Sequence, residues 1–191
     1  MLKLFHTLLI LFILIVHANA HDLYIVYKDN ICQATLDEKT YKCSIGKNGT
    51  SNCKVEGDKS TPLGKFPLRK VFFREDKIGN NIKTGLPSRK IKKNDGWCDD
   101  PTSIQYNKFV DLTCFNNSIS HEKLYRDDDV YDLIIVVGYN DSPPIPSKGS
   151  AIFIHVAREG FLGTDGCIAF AQDDLVEILS KLDKTSKVII Q

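Results

Sequence analysis

The residues most able to do chemistry are His155 and Cys167. His155 closes an apolar run, Ile152-Phe153-Ile154, and Cys167 opens a second, Ile168-Ala169-Phe170, across a glycine-bearing loop. Runs of this kind read as neighbouring buried strands, which puts an imidazole and a thiol at two strand ends. The thiolate is the attacking form of cysteine, and an ordinary thiol is only slightly ionised at neutral pH. An imidazole beside it can take the thiol proton and return it to a leaving amine. Gly166 allows close approach of backbone to a substrate, and N–H groups around Cys167 can support an oxyanion. Thr164 can orient a partner through its hydroxyl. The implied chemistry is acyl transfer. Taken alone, the same two residues also fit a core histidine beside a small buried cysteine or a half-disulfide.

The elements that must position this pair are mostly strands. Residues 131–138 carry the strongest strand signal, long enough for a central position, and 151–155 and 168–170 read as strands on either side of the loop. Earlier, 22–27, 31–36 and 40–45 read as an antiparallel meander joined by turn residues. A polar, glycine- and proline-marked segment, 57–68, feeds an extended stretch at 66–73, where Pro62 and Pro67 predict an edge or a bend. Charge without apolar periodicity predicts a solvated loop over 74–89, and a charged loop or short helical turn over 120–129. The acids Asp127, Asp128 and Asp129 lack the alternation and glycine of a calcium loop. One helix is expected over 173–184, with Leu175, Ile178, Leu179 and Leu182 on one face, and 187–190 reads as a closing strand. The fold class is mainly β with one clear helix after the cysteine.

Residues 1–20 read as a secretory signal: Lys3, an apolar stretch from Leu8 to Val16, then Ala18-Asn19-Ala20 as a cleavage site. The apolar stretch falls short of the roughly 20 residues a membrane span requires, and no later segment is long and apolar enough, so no span is expected after cleavage. Residues 21–191 suit one domain with a real core. Lysine and arginine total 25 against 24 acids, a balance that argues against a partner bound by neutralising phosphates, so no nucleic acid is expected. The cysteines, six in all, lie beyond residue 20 and permit disulfides in an oxidising compartment. Their pairing stays open, with Cys32 and Cys43 possible because they flank a hairpin-like segment. No C-x-x-C spacing is present, which argues against a structural zinc.

The sequence around the pair resembles the L,D-transpeptidase catalytic domain (YkuD-type). That family carries a histidine at a strand end, a variable loop, then Ser/Thr-x-Gly-Cys, which stands here as His155 and Thr164-Asp165-Gly166-Cys167. Thr61-Pro62-Leu63-Gly64-Lys65-Phe66 is similar to the family's upstream Thr-Pro-x-Gly-x-Phe segment, which lines the same site. Trp97-Cys98-Asp99, Arg126-Asp127-Asp128, Tyr131-Asp132-Leu133 and His155-Val156-Ala157-Arg158 resemble an exported proteobacterial subgroup. The likeness runs from about Leu23 to Leu182.

The resemblance implies a β-sandwich of mixed sheets with the helix covering one side. It implies a bacterial protein of the periplasm or cell envelope, needing no metal or cofactor and acting on donor and acceptor stem peptides of peptidoglycan. Cys167 would attack the carbonyl preceding a terminal D-alanine, and an amine of a second stem would resolve the thioester into a cross-link. Two positions depart from the pattern. Asp165 stands where many members carry a second histidine, and Ala169 where an arginine is common. Asp165 is then a candidate to orient His155, and Arg158 a candidate to grip a substrate carboxylate bidentately. Water as acceptor would make the protein a carboxypeptidase or a hydrolase of cross-links or tethers. A degraded site would leave a non-catalytic peptidoglycan-binding domain. A papain-like protease is a weaker reading, because no Gly-x-Cys-Trp segment is present.

Overall fold

The structure is a computed structural model and describes residues 21–80, 82–114 and 118–191. The expected signal, residues 1–20, lies outside them.

The chain opens on the expected meander: β1 (Leu23–Lys28), β2 (Ile31–Leu36) and β3 (Lys39–Ser44). Asp29, Asn30 and Asp37 take positive φ at the turns, where short polar side chains tolerate that conformation. Two short strands follow, β4 (Thr50–Ser51) and β5 (Thr61–Pro62), then the long β6 (Gly64–Phe73). A one-turn helix α1 (Glu75–Ile78) leads to β7 (Ser88–Lys90), β8 (Asp95–Cys98), β9 (Lys108–Asp111) and β10 (His121–Lys123). The last part holds β11 (Leu133–Val137), β12 (Phe153–Val156), β13 (Ile168–Phe170), helix α2 (Gln172–Lys181) and β14 (Lys187–Ile190).

Nine strands form one mixed sheet in the order β11-β12-β13-β3-β2-β1-β14-β6-β7, and β6 also pairs with β11, so the sheet curls back on itself. Its inner face and α2 share one core, in which Leu175, Ile178 and Leu179 of the helix are buried. The helix presents these residues at the predicted spacing, with Asp173 and Asp174 in its first turn and Lys181 in its last, as the helix dipole favours. The outer face is covered beside β11 and β12 by a three-stranded sheet, β10-β8-β9. Strand alternation divides the two faces. Ile154 and Val156 of β12 enter the main core, while Phe153 joins Trp97, Tyr131 and Cys167 in a second, aromatic cluster. Burial on both sides is why 131–138 and 151–155 read as continuous apolar runs.

Three segments differ from expectation. β6 is an interior strand rather than an edge. It pairs with β14 through Gly64 to Pro67 and with β11 through Leu68 to Phe73. Pro67 is tolerated because its carbonyl alone is used, accepting the Gly138 N–H at 2.8 Å past the bulge in β11. The stretch 74–89 is not simply solvated. Arg74 is buried, paired with Asp76 at 2.7 Å and stacked over the Tyr125 ring at 3.7 Å. Residues 121–123 form a strand, because pairing to β8 supplies what their own charged sequence does not.

Candidate active site

β12 and β13 run parallel, with Ile154 opposite Ile168 and His155 opposite Ala169. Cys167, one residue before β13, therefore stands level with Phe153. Cys167 and His155 share the outer face of the sheet, offset by two residues, roughly 6–7 Å of strand rise. Both are buried, at 9% and 4% relative exposure. The thiol points at backbone. Sγ accepts the Phe153 N–H at 3.4 Å and its proton is directed to the Ala151 carbonyl at 3.3 Å, rather than to the imidazole. Ala151 holds φ of 50°, an uncommon value for a non-glycine residue, with its N–H fixed by the Asn107 side chain at 3.1 Å.

The loop that presents Cys167 is tied down by two buried threonines. Thr164 Oγ1 donates to the Cys167 carbonyl at 2.7 Å and accepts the Gly166 N–H at 3.1 Å. Thr61 Oγ1 accepts the Gly46 N–H at 2.9 Å and faces the Gly166 carbonyl at 2.9 Å and that of Cys167 at 3.3 Å. Gly166 sits at φ 128°, and a Cβ there would lie 2.9 Å from the Ser60 carbonyl oxygen, so no other residue fits.

The His155 Nδ1 lies 2.9 Å from the Val156 carbonyl. A carbonyl only accepts, so this contact assigns the ring proton to Nδ1 and leaves Nε2 as a lone pair. Burial holds His155 down at about 4, helped by the positive charge of Arg158 and Arg126 against the Val156 carbonyl. Burial pushes the Cys167 thiol up to about 12, opposed by the Phe153 N–H. The resting pair is therefore a neutral thiol and a neutral imidazole, not an ion pair. For such a thiol to attack a carbonyl, its proton would have to leave during the attack.

A cleft of about 310 Å³ opens over the pair. Ala151, Tyr131 and Val130 line it beside Cys167 and His155, with the cations Lys59, Arg126 and Arg158 and the acids Glu56, Asp99, Glu122 and Asp165. Tyr131 packs edge-on to His155, ring centres 5.5 Å apart. Arg126 is neutralised by Asp128 through bonds of 2.8 and 2.7 Å. Arg158 is exposed and has no ion pair within 4.0 Å among the described residues. Burial raises the Glu122 carboxyl, and the charge of Asp99 adds to the effect. Asp99 Oδ1 is itself buried with no hydrogen-bond partner.

The structure thus brings His155, Cys167, Gly166, Thr164, Arg158 and Thr61 to one place. Asp165 stands at the rim with its carboxylate turned to Lys47 at 3.0 Å, which leaves the orientation of His155 to the Val156 carbonyl. Pro62, Gly64 and Phe66 do not line the cleft. Pro62 pairs with Ser51, and Phe66 packs under Gly64 and against Tyr139 at 5.4 Å, so this segment holds the site through Thr61 alone. Reasoning from sequence gave no role to Glu56, Lys59, Asp99 or Glu122. Each is one charge among many in a polar stretch, and only the pairing of β10 with β8 carries Glu122 to the cleft.

The model of the YkuD L,D-transpeptidase catalytic domain matches residues 12–190, and the chain belongs to that family. Solved structures that match include L,D-transpeptidase 1 of Mycobacterium tuberculosis, at 11% identity and TM-score 0.38, covering 89% of this chain and 62% of that one. An L,D-transpeptidase from Mycobacterium smegmatis matches at 16% identity and TM-score 0.38, over 90% of this chain and 59% of its own. L,D-transpeptidase 3 of Mycobacterium tuberculosis, solved with a faropenem-derived adduct, matches at 12% identity and TM-score 0.41, over 90% and 60%. The chain spans about three fifths of the length of these proteins. No curated protein sequence matches it.

Proposed function

We propose that the protein is an L,D-transpeptidase that acts on peptidoglycan stem peptides through a thioester on Cys167, outside the cytoplasm of a bacterium, in the exported proteobacterial subgroup. The observation that carries the reading is the neutral Cys167–His155 pair on one sheet face, under a cleft that holds an unpaired arginine. Arg158 suits the terminal carboxylate of a donor stem. As Sγ turns from the Ala151 carbonyl and bonds to the donor carbonyl carbon, its proton passes to Nε2 of His155. Expulsion of the terminal D-amino acid returns that proton to the leaving amine and leaves the thioester. An acceptor amine then attacks, gives a proton back through His155, and frees the thiol as the new amide forms. The Cys32–Cys43 disulfide supports export, since cytoplasmic thiols are kept reduced.

The test is mass spectrometry of the protein incubated with purified tetrapeptide muropeptides, beside Cys167→Ala and His155→Ala. Dimers that require both residues are expected. Shortened stems without dimers would make it a carboxypeptidase, and loss of added dimers a cross-link hydrolase. No conversion with an unmodified Cys167 would leave a binding domain.

A further inference from the structure

Lys54 lies outside the cleft, yet it is one of the least exposed polar residues of the protein, with 4% of its side chain accessible. Its ammonium donates to Asp58 Oδ1 at 2.7 Å. Asp58 also accepts the N–H of Ser60 at 2.9 Å and of Val55 at 2.9 Å. Burial raises the Asp58 carboxyl, but Lys54 and these two N–H groups outweigh it and hold the group below its ordinary value. Removing two charges from water costs several kcal/mol per ion in rough terms, so a hydrophobic pair of the same size would serve packing as well or better. The location suggests what the ion pair does instead.

The Lys54 side chain runs between two glycines of positive φ, Gly149 at 99° and Gly166 at 128°. A Cβ on Gly149 would lie 2.9 Å from Lys54 Cε, and a Cβ on Gly166 would lie 3.4 Å from Lys54 Nζ. Gly149 leads into Ser150 and Ala151, whose carbonyl accepts the hydrogen bond of the thiol, and Gly166 precedes the thiol itself. The missing side chains are the space the lysine occupies, and they let its ammonium sit against Gly166, the residue before the nucleophile.

We infer that Lys54 and Asp58 form a positioning ion pair for Cys167, in which the ammonium behind Gly166 supports negative charge on Sγ and the carboxylate limits that support. The inference rests on the reading of Cys167 as nucleophile. On the cleft side the thiol is faced by the acids Glu122 and Asp165, which oppose a thiolate, and by His155 and Tyr131. The cations Lys59, Arg126 and Arg158 line the same cleft, and Lys54, outside it, favours the thiolate. Behind the site, Asp58 is the acid on Lys54, with Tyr139 the next titratable group.

The two partners predict opposite signs, which separates this role from a structural one. Iodoacetamide alkylation of the Cys167 peptide is followed by mass spectrometry on the rising part of its pH profile, with the exposed Cys114 as internal reference. Lys54→Met is expected to slow alkylation of Cys167 about tenfold, the effect of one pKa unit on thiolate fraction. Asp58→Asn keeps an oxygen for the ammonium and removes its neutralising charge, so it is expected to speed alkylation by a similar factor. Slowing in both variants, or no change in either, would overturn the inference. If Lys54→Met does not fold, Asp58→Asn decides alone: acceleration supports the role, and an unchanged or slower rate ends it. The readout needs no stem peptide, so a protein inert to muropeptides but showing the opposed shifts would sink the proposed activity and keep the ion pair's role.

Discussion

Thr61 and Thr164 both reach the Cys167 carbonyl, and the groups that each hydroxyl satisfies can be counted. In Thr164→Val the Gly166 N–H loses its acceptor, while the Cys167 carbonyl keeps the Thr61 hydroxyl, which can swing its single proton from the Gly166 oxygen at 2.9 Å to that of Cys167 at 3.3 Å. The Gly166 N–H and one of these two carbonyls are left unpaired, a loss of about 2–5 kcal/mol. In Thr61→Val the Gly46 N–H and the Gly166 carbonyl both lose their partner, while Thr164 still serves Cys167. Two buried groups are left, a loss of about 2–5 kcal/mol. The double variant strips the Cys167 carbonyl of both hydroxyls, which neither single change does. Four groups then lose their partners, two for each hydroxyl removed, so its destabilisation should equal the sum of the singles within about 0.5 kcal/mol. Urea unfolding of the four proteins in a double-mutant cycle measures this. Thr164→Ser, which retains the hydroxyl, should stay close to the parent. A departure from additivity of more than about 1 kcal/mol, or parent-like stability of either single valine variant, would refute this arrangement.

Further outcomes are expected elsewhere in the site. His155 has its folded value depressed from 6.5 to about 4, so the unfolded chain binds the proton first and stability falls as pH drops through that window. A fully neutral His155→Gln should lose about 3 kcal/mol less than the parent over the same range, measured by denaturant unfolding at each pH, and equal losses would show that the imidazole is not buried neutral. Arg158→Gln should lower kcat/KM for stems ending in a carboxylate by about 10- to 100-fold, the loss of a charge-assisted hydrogen bond, while the melting temperature stays put because Arg158 is exposed and without an ion pair among the described residues. An unchanged kcat/KM would remove the arginine from the donor site. Gly166→Ala, with φ 128° and a Cβ 2.9 Å from the Ser60 oxygen, should destabilise by about 1–3 kcal/mol and lower the melting temperature accordingly, and a parent-like melting curve would contradict the strained turn.

Local sequence was enough wherever a segment's own pattern sets its state. The meander at 22–45 carries strand-forming residues between turn residues, 131–138 and 151–155 carry unbroken apolar runs, and the amphipathic helix carries a period of 3.6, none of which a partner has to supply. The pairing of Cys32 with Cys43 was open in the sequence, and the β2–β3 register places the two opposite each other. His155 and Cys167 stood out because each ends an apolar run beside a glycine-bearing loop. What the sequence does not contain is the register between elements distant along the chain. β6 becomes an interior strand in spite of Pro67 because β11 and β14 both pair with it, and a residue cannot report pairing that depends on segments far along the chain. Glu122 reaches the cleft only through the pairing of β10 with β8, and Lys54 lies behind the nucleophile only because two glycines distant in sequence leave room for it. Asp165 is the converse: beside the cysteine in sequence and at the cleft rim, it gives its carboxylate to Lys47 instead of the histidine. Residue type and spacing nominate the reacting atoms, whereas burial and electrostatic surroundings, which set their protonation, exist only once distant segments meet in the fold.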